Sequence, residues 1–162
     1  MRHRLSAAAA ACLFLLSCGT KAMFAQETVT VSIPHAIRYQ VTNVSVVTTA
    51  NPGTVTLSFQ NAKLSAGKVL RISVRAKAAN LTARSRSPIP SSKVSWTAGS
   101  ASGGTGFSGI LRDSSYFVVF QSTVNPKSGS VDLSWRLAAP GASIRADLHT
   151  LDLEWKIESV TP

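Results

Sequence analysis

An antiparallel β-sandwich of about nine strands, with Ig-like, Greek-key connections, follows from three features of this sequence. Apolar and polar residues alternate with a period of two through most of the chain, so each run has one buried and one wet face. Thr, Val and Ser dominate these runs, and they suit a pleated, half-buried surface. No stretch carries the apolar spacing of an amphipathic helix, so parallel strands would lack helical crossovers. A closed barrel is the lesser alternative.

In chain order, residues 28–33 open the domain, with Val29, Val31 and Ile33 alternating with Thr28, Thr30 and Ser32. A run at 40–49 leads to Asn51-Pro52-Gly53, a turn signal. Residues 54–60 then set Val55, Leu57 and Phe59 against Thr54, Thr56 and Ser58. After a turn at Ala66-Gly67, residues 68–77 alternate Leu70, Ile72, Val74 and Ala76 with Arg71, Ser73, Arg75 and Lys77. Ala78 to Ser92 is the longest candidate loop, and 92–97 is a strand carrying Trp96. Ala98 to Gly106, rich in Gly and Ser, predicts a mobile tip before strands at 106–112 and 115–121. The last two strands, 129–137 and 148–159, place Trp135 and Trp155 on their apolar phase. All three tryptophans therefore read as core residues, leaving Tyr39, Phe107 and Tyr116 as the candidates for an exposed ring.

The 162 residues suffice for one domain, assigned to 26–162. Residues 1–25 have the pattern of a secretory signal: Arg2 and Arg4 precede an apolar stretch from Ala7 to Leu16 that is too short to span a membrane. Cleavage is expected after Ala25, with Ala22 as a second position. In the alternative, Leu15-Leu16-Ser17-Cys18 is a lipobox and Cys18 is lipidated, which would be the only membrane attachment. Either route predicts an extracellular or periplasmic, surface-associated protein. Removing Arg2, Arg4 and Lys21 with the leader leaves 14 of 17 basic residues against 7 acidic ones, a net charge of about +7.

Both cysteines, Cys12 and Cys18, lie in the leader, so the domain has no disulfide and no thiolate chemistry of its own. Between Thr28 and Arg112 there are ten basic residues and no Asp or Glu. A paired-carboxylate hydrolase or a carboxylate calcium cage in that part is excluded. Gly104-Thr105-Gly106-Phe107-Ser108-Gly109 matches a dinucleotide fingerprint, but strand residues follow it where a helix is required, so it reads as a hairpin. Ser65-Ala66-Gly67-Lys68 matches an acylating S-x-x-K pair yet leads into a strand, so it reads as a turn. A Ser-His-Asp triad can be drawn with His149 and Asp147, but the chain has no G-x-S-x-G nucleophile elbow. His35 and His149 read as surface or structural residues. No catalytic residue, metal or cofactor is expected.

The feature with a functional reading is basic. Arg71, Arg75 and Lys77 share the polar face of one strand, with Arg84 and Arg86 in the loop beyond. Such a face attracts anionic partners, in this compartment the cell-envelope polymers. Single-stranded nucleic acid is disfavoured, because no Phe, Tyr or Trp lies between Phe59 and Trp96 to offer a stacking platform.

Trp135-Arg136-Leu137 is a literal Trp-x-Leu, and Leu153-Glu154-Trp155-Lys156-Ile157-Glu158-Ser159 closes the chain before Val160-Thr161-Pro162. These C-terminal strands resemble WxL-type bacterial cell-surface domains. That resemblance implies a secreted all-β domain held non-covalently at the cell wall. The layout is also similar to secreted fimbrial and spore-coat-type β-sandwich subunits, which implies self-assembly with Thr28 to Ile33 completing a neighbour's sheet. Pairing of that strand within its own chain is the preferred expectation. The sequence thus predicts a non-enzymatic surface protein that binds or decorates anionic envelope material, with a fibre or coat subunit as the first alternative and a secreted hydrolase using His149 with Asp147 as the lesser one.

Overall fold

The computed structural model describes residues 26–162; the expected secretory signal and the lipidation alternative at Cys18 lie outside the described residues. Its twelve strands are β1 Thr28–Ser32, β2 Ala36–Val41, β3 Thr48–Lys63, β4 Val69–Ala76, β5 Asn80–Ala83, β6 Ile89–Pro90, β7 Val94–Ser102, β8 Gly104–Gly106, β9 Gly109–Ile110, β10 Phe117–Ser122, β11 Gly129–Leu137 and β12 Asp147–Val160. Every pairing is antiparallel. A five-stranded sheet runs β1-β3-β11-β7-β9, and a seven-stranded sheet faces it to complete the sandwich.

The larger sheet is organised on β12. The first half of β12 pairs with β2, from Asp147 opposite Val41 to Asp152 opposite Ala36. Its second half pairs with β4, from Leu153 opposite Ala76 to Val160 opposite Val69. These partners lie on opposite edges. The Lys77 N–H donates to the Asp152 carbonyl (3.0 Å), whereas the Leu153 N–H donates to the His35 carbonyl (2.8 Å), and successive residues of a strand direct their backbone groups to opposite sides. β5 continues the line of β4, with Thr82 opposite Thr150 and Ala83 opposite His149. β10 and β8 extend the sheet beyond β4.

The domain has more strands than the predicted nine, and four boundaries shift for local reasons. Residues 42–47, expected within a strand at 40–49, form a connection between β2 and β3. Asn51-Pro52-Gly53 is a bulge inside β3 and not a turn: β11 pairs Ser134 with Thr54 and then Arg136 with Thr49. Proline has no ladder N–H to give, and a bulge accommodates it without ending the strand. Ala98 to Gly106 is not a loose tip, because β7 continues to Ser102 and turns at Gly103 (φ 68°) into β8. Ala78 to Ser92 holds two short strands and a 3-10 turn at Ser91–Lys93.

Facing inner surfaces supply the core. Trp135 and Trp96 are cross-strand partners in one sheet, with ring centroids 5.4 Å apart, and both are buried. Phe59 and Phe120 meet from opposite sheets at 5.7 Å. Gly109 lies flat against Trp96, where any Cβ would sit 2.6 Å from the indole ring. The glycines of the fingerprint-like segment therefore serve close packing. Two of the ring assignments change. Tyr39, a candidate exposed ring, is fully buried, and burial raises its phenol pKa well above the ordinary value. Trp155 is half-buried, its indole N–H donating to the Pro34 carbonyl at 2.7 Å. Phe107 is exposed, and Tyr116 is half-buried.

β1 pairs with β3 of its own chain and packs Val29 and Val31 on the core. Glu27 anchors its start, accepting from the Ser65 N–H at 2.8 Å beside Lys68 at 3.7 Å. The Ser65 hydrogen bonds lower its carboxyl pKa to about 2. Trp135→Ala is expected to lower unfolding free energy by about 3–5 kcal/mol in urea titration, while Arg136→Ala, one residue on and exposed, should change it by less than about 0.5 kcal/mol.

Candidate functional site

The pairing of β12 with β4 divides the predicted basic stripe. Arg75 stands opposite Glu154 and Arg71 opposite Glu158. The Arg75 guanidinium donates to Glu154 Oε2 from Nη2 (2.7 Å) and Nε (3.1 Å) and stacks over the Tyr116 ring, 4.9 Å from its centroid. The Tyr116 hydroxyl donates to the other Glu154 oxygen. These hydrogen bonds, Tyr116 first and Arg75 second, lower the Glu154 pKa. Arg71 donates to Gln121 Oε1 at 3.3–3.4 Å. This face is an internally balanced network, which corrects the expectation that Arg71 and Arg75 form one free stripe with Lys77.

Arg84 and Arg86 fall elsewhere, at the end of the sandwich where β12 begins, whereas Lys77 follows β4, opposite Asp152 and near Glu154. All three are exposed, and no carboxylate among the described residues lies within 4.0 Å of their charged groups. Two loops build this end. Residues 84–88 follow β5, with Arg86 in a left-handed conformation (φ 53°) that lets its N–H close on the Ala83 carbonyl at 3.2 Å. Residues 138–146 lead into β12. Asp147 ties the two loops together, its Oδ2 accepting from the Ser85 N–H and its Oδ1 from the Leu148 N–H, each at 2.7 Å. Those backbone bonds, Ser85 foremost, lower the Asp147 pKa. The Arg145 N–H reaches Ser87 Oγ at 3.4 Å.

The β2–β12 pairing adds Arg38 to this end, opposite Thr150. Arg38 and Arg145 are both exposed and without a carboxylate partner among the described residues. Neither was selected from sequence, because each is an isolated cation far along the chain from Arg84. Beside them is an open hollow of about 590 Å³, lined by Gln40, Thr82, Arg84, Asp147, Leu148 and Thr150. Leu148 is exposed on its floor, and Thr82 Oγ1 donates to the Thr150 carbonyl at 3.1 Å.

The residues of the paper triad do not assemble. Asp147 spends its carboxylate on backbone N–H groups, and His149 is fully buried with Nε2 3.4 Å from the Arg145 carbonyl. His35 is exposed. Ser65 and Lys68 close a turn, the Lys68 N–H donating to the Ser65 carbonyl at 3.2 Å. Trp135 and Leu137 of the Trp-x-Leu are both core residues. Among known proteins, no family model, curated protein or solved structure matches this chain.

Asp147 couples loop order to pH. Its depressed pKa means that the tie is complete above the ordinary carboxylate range and is lost as pH falls through the folded-state value. Asp147→Asn is expected to speed amide exchange at Ser85 by about ten-fold near neutral pH, and acidification of the parent protein should lower the protection factor of Ser85, the exchange rate of an unstructured peptide at the same pH relative to its own.

Proposed function

We propose that this chain is an exported, non-enzymatic, envelope-associated protein that holds anionic envelope polymer at the loop end carrying Arg84, Arg86, Arg38 and Arg145, with Lys77 flanking it. The observation that carries this reading is the split of the cations. Arg75 is committed to Glu154, and Arg71 bonds Gln121, whereas Arg84, Arg86, Arg38 and Arg145 at the loop end lack carboxylate partners among the described residues, as does Lys77 beside them. Unpaired cations on neighbouring loops raise the local potential and draw polyanions without requiring a deep pocket. The hollow lined by Gln40, Thr82 and Thr150 offers polar groups that suit the hydroxyls and phosphates of such a polymer. The leader-like N-terminus and the WxL-like C-terminal strands support the location. In the alternative, a fibre or coat subunit, Thr28–Ser32 would have to leave its partner β3.

Cosedimentation with isolated bacterial envelopes tests this. Combined Ala substitution of Lys77, Arg84 and Arg86 is expected to weaken binding about ten-fold or more, and raising salt from about 0.05 M to about 0.5 M should abolish it. Arg71→Ala combined with Arg75→Ala should leave binding within about two-fold. Binding that survives both the triple substitution and high salt contradicts the proposal.

A further inference from the structure

The second half of β12 has one edge without a strand. Glu154, Lys156 and Glu158 direct their backbone groups to β4, the alternation set by Asp152 bonding Lys77. Trp155, Ile157 and Ser159 therefore direct theirs to the other edge. β2 covers that edge only as far as Leu153, which bonds His35. Pro34 has no N–H to continue the ladder, and the chain crosses there to the opposite sheet as β1, with the Trp155 indole closing on the Pro34 carbonyl. Beyond that crossing, no strand among the described residues pairs with the edge at Ile157 and Ser159. Ile157 is 39% exposed there, above a gap of about 170 Å³ between the sheets that Val29, Leu64 and Leu70 also line. An open edge with an exposed apolar residue is a template for strand addition.

We propose that this edge is a self-association surface, on which a second copy of this chain lays its own β12 antiparallel about a two-fold axis at Ile157. The charges select both the partner and the register. A two-fold centred on Lys156 would place Lys156 opposite itself and Glu154 opposite Glu158. One centred on Glu158 would place that carboxylate opposite itself, and one centred on Trp155 needs Leu153, whose N–H is already taken by His35. Centring on Ile157 sets Lys156 opposite the partner's Glu158 twice over and covers each exposed Ile157 with the other. Like charges directly opposite destabilise a ladder and unlike charges stabilise it. Lys156 and Glu158 already bond within the chain at 2.8 Å, so the pair of copies closes a ring of four alternating charges. The same patch serves both subunits, as a closed dimer requires.

Sedimentation equilibrium of the purified chain between about 10 μM and about 1 mM is expected to show a reversible monomer–dimer equilibrium, in keeping with a small interface. Lys156→Glu and Glu158→Lys should each weaken dimerisation about ten-fold, because both charge pairs become like pairs. An equimolar mixture of the two variants should restore it, since each then faces its complement, and that restoration also shows that both variants are folded. A chain that stays monomeric throughout, variants that dimerise like the parent, or a mixture that fails to recover would each overturn the proposal.

Discussion

The architecture depends on the two-sided hydrogen bonding of β12. A 14-residue strand takes β2 on one edge of its first half, with β5 and β4 in line along the other edge. Each interior residue of a strand can satisfy only one side, so this arrangement fixes which carbonyl faces which neighbour along the whole length. It joins the N-terminal, middle and C-terminal parts of the chain in one sheet. It also determines where the side chains of β4 land, because the register that buries Ile72 and Val74 against the core sets Arg71 and Arg75 opposite Glu158 and Glu154.

That register separates the cations of β4 from those where β12 begins. On the outer face of β4 the Arg75 guanidinium meets the Glu154 carboxylate and a tyrosine ring and that of Arg71 meets an amide, and their role is to hold three strands together. At the start of β12 the strands end, the chain turns through residues 84–88 and 138–146, and the cations there meet solvent. Asp147 is the exception that organises this end, its carboxylate serving as a backbone tie between the two loops. Arg75 is structural because the C-terminal half of β12 sets Glu154 opposite it, whereas Arg38 stands opposite Thr150, which carries no charge.

Much of the fold was legible because alternation is a local property. The runs ending in Ile33, Phe59, Ala76, Leu137 and Ile157 all became strands with their apolar residues inward or partly inward, the exposed Ile157 excepted, and Trp96 and Trp135 became core as their phase required. What failed to show was set by non-local pairing. Pro52 and Gly53 signal a turn in any local reading, yet β11 on the far side of the chain carries β3 past them as a bulge. Tyr39 has no local reason to be buried until β2 is placed beside β12. The candidate site was half legible: Lys77, Arg84 and Arg86 were visible as a basic run, but the neutralisation of Arg75 by Glu154 spans 79 residues, and Arg38 joins through a strand pairing that no spacing announces.

Amide hydrogen exchange along β12, measured by NMR at a protein concentration low enough to exclude self-association, tests the two-sided account most directly. The amides of Lys156 and Glu158, which face β4, should exchange slowly, and those of Ile157 and Ser159, which face the open edge, should exchange about a hundred-fold or more faster. Over the first half of the strand, where both edges are covered, successive amides from His149 to Leu151 should all be protected. Uniform protection from Asp147 to Val160, or uniform rapid exchange beyond Leu153, would contradict the arrangement of strands on which the rest depends.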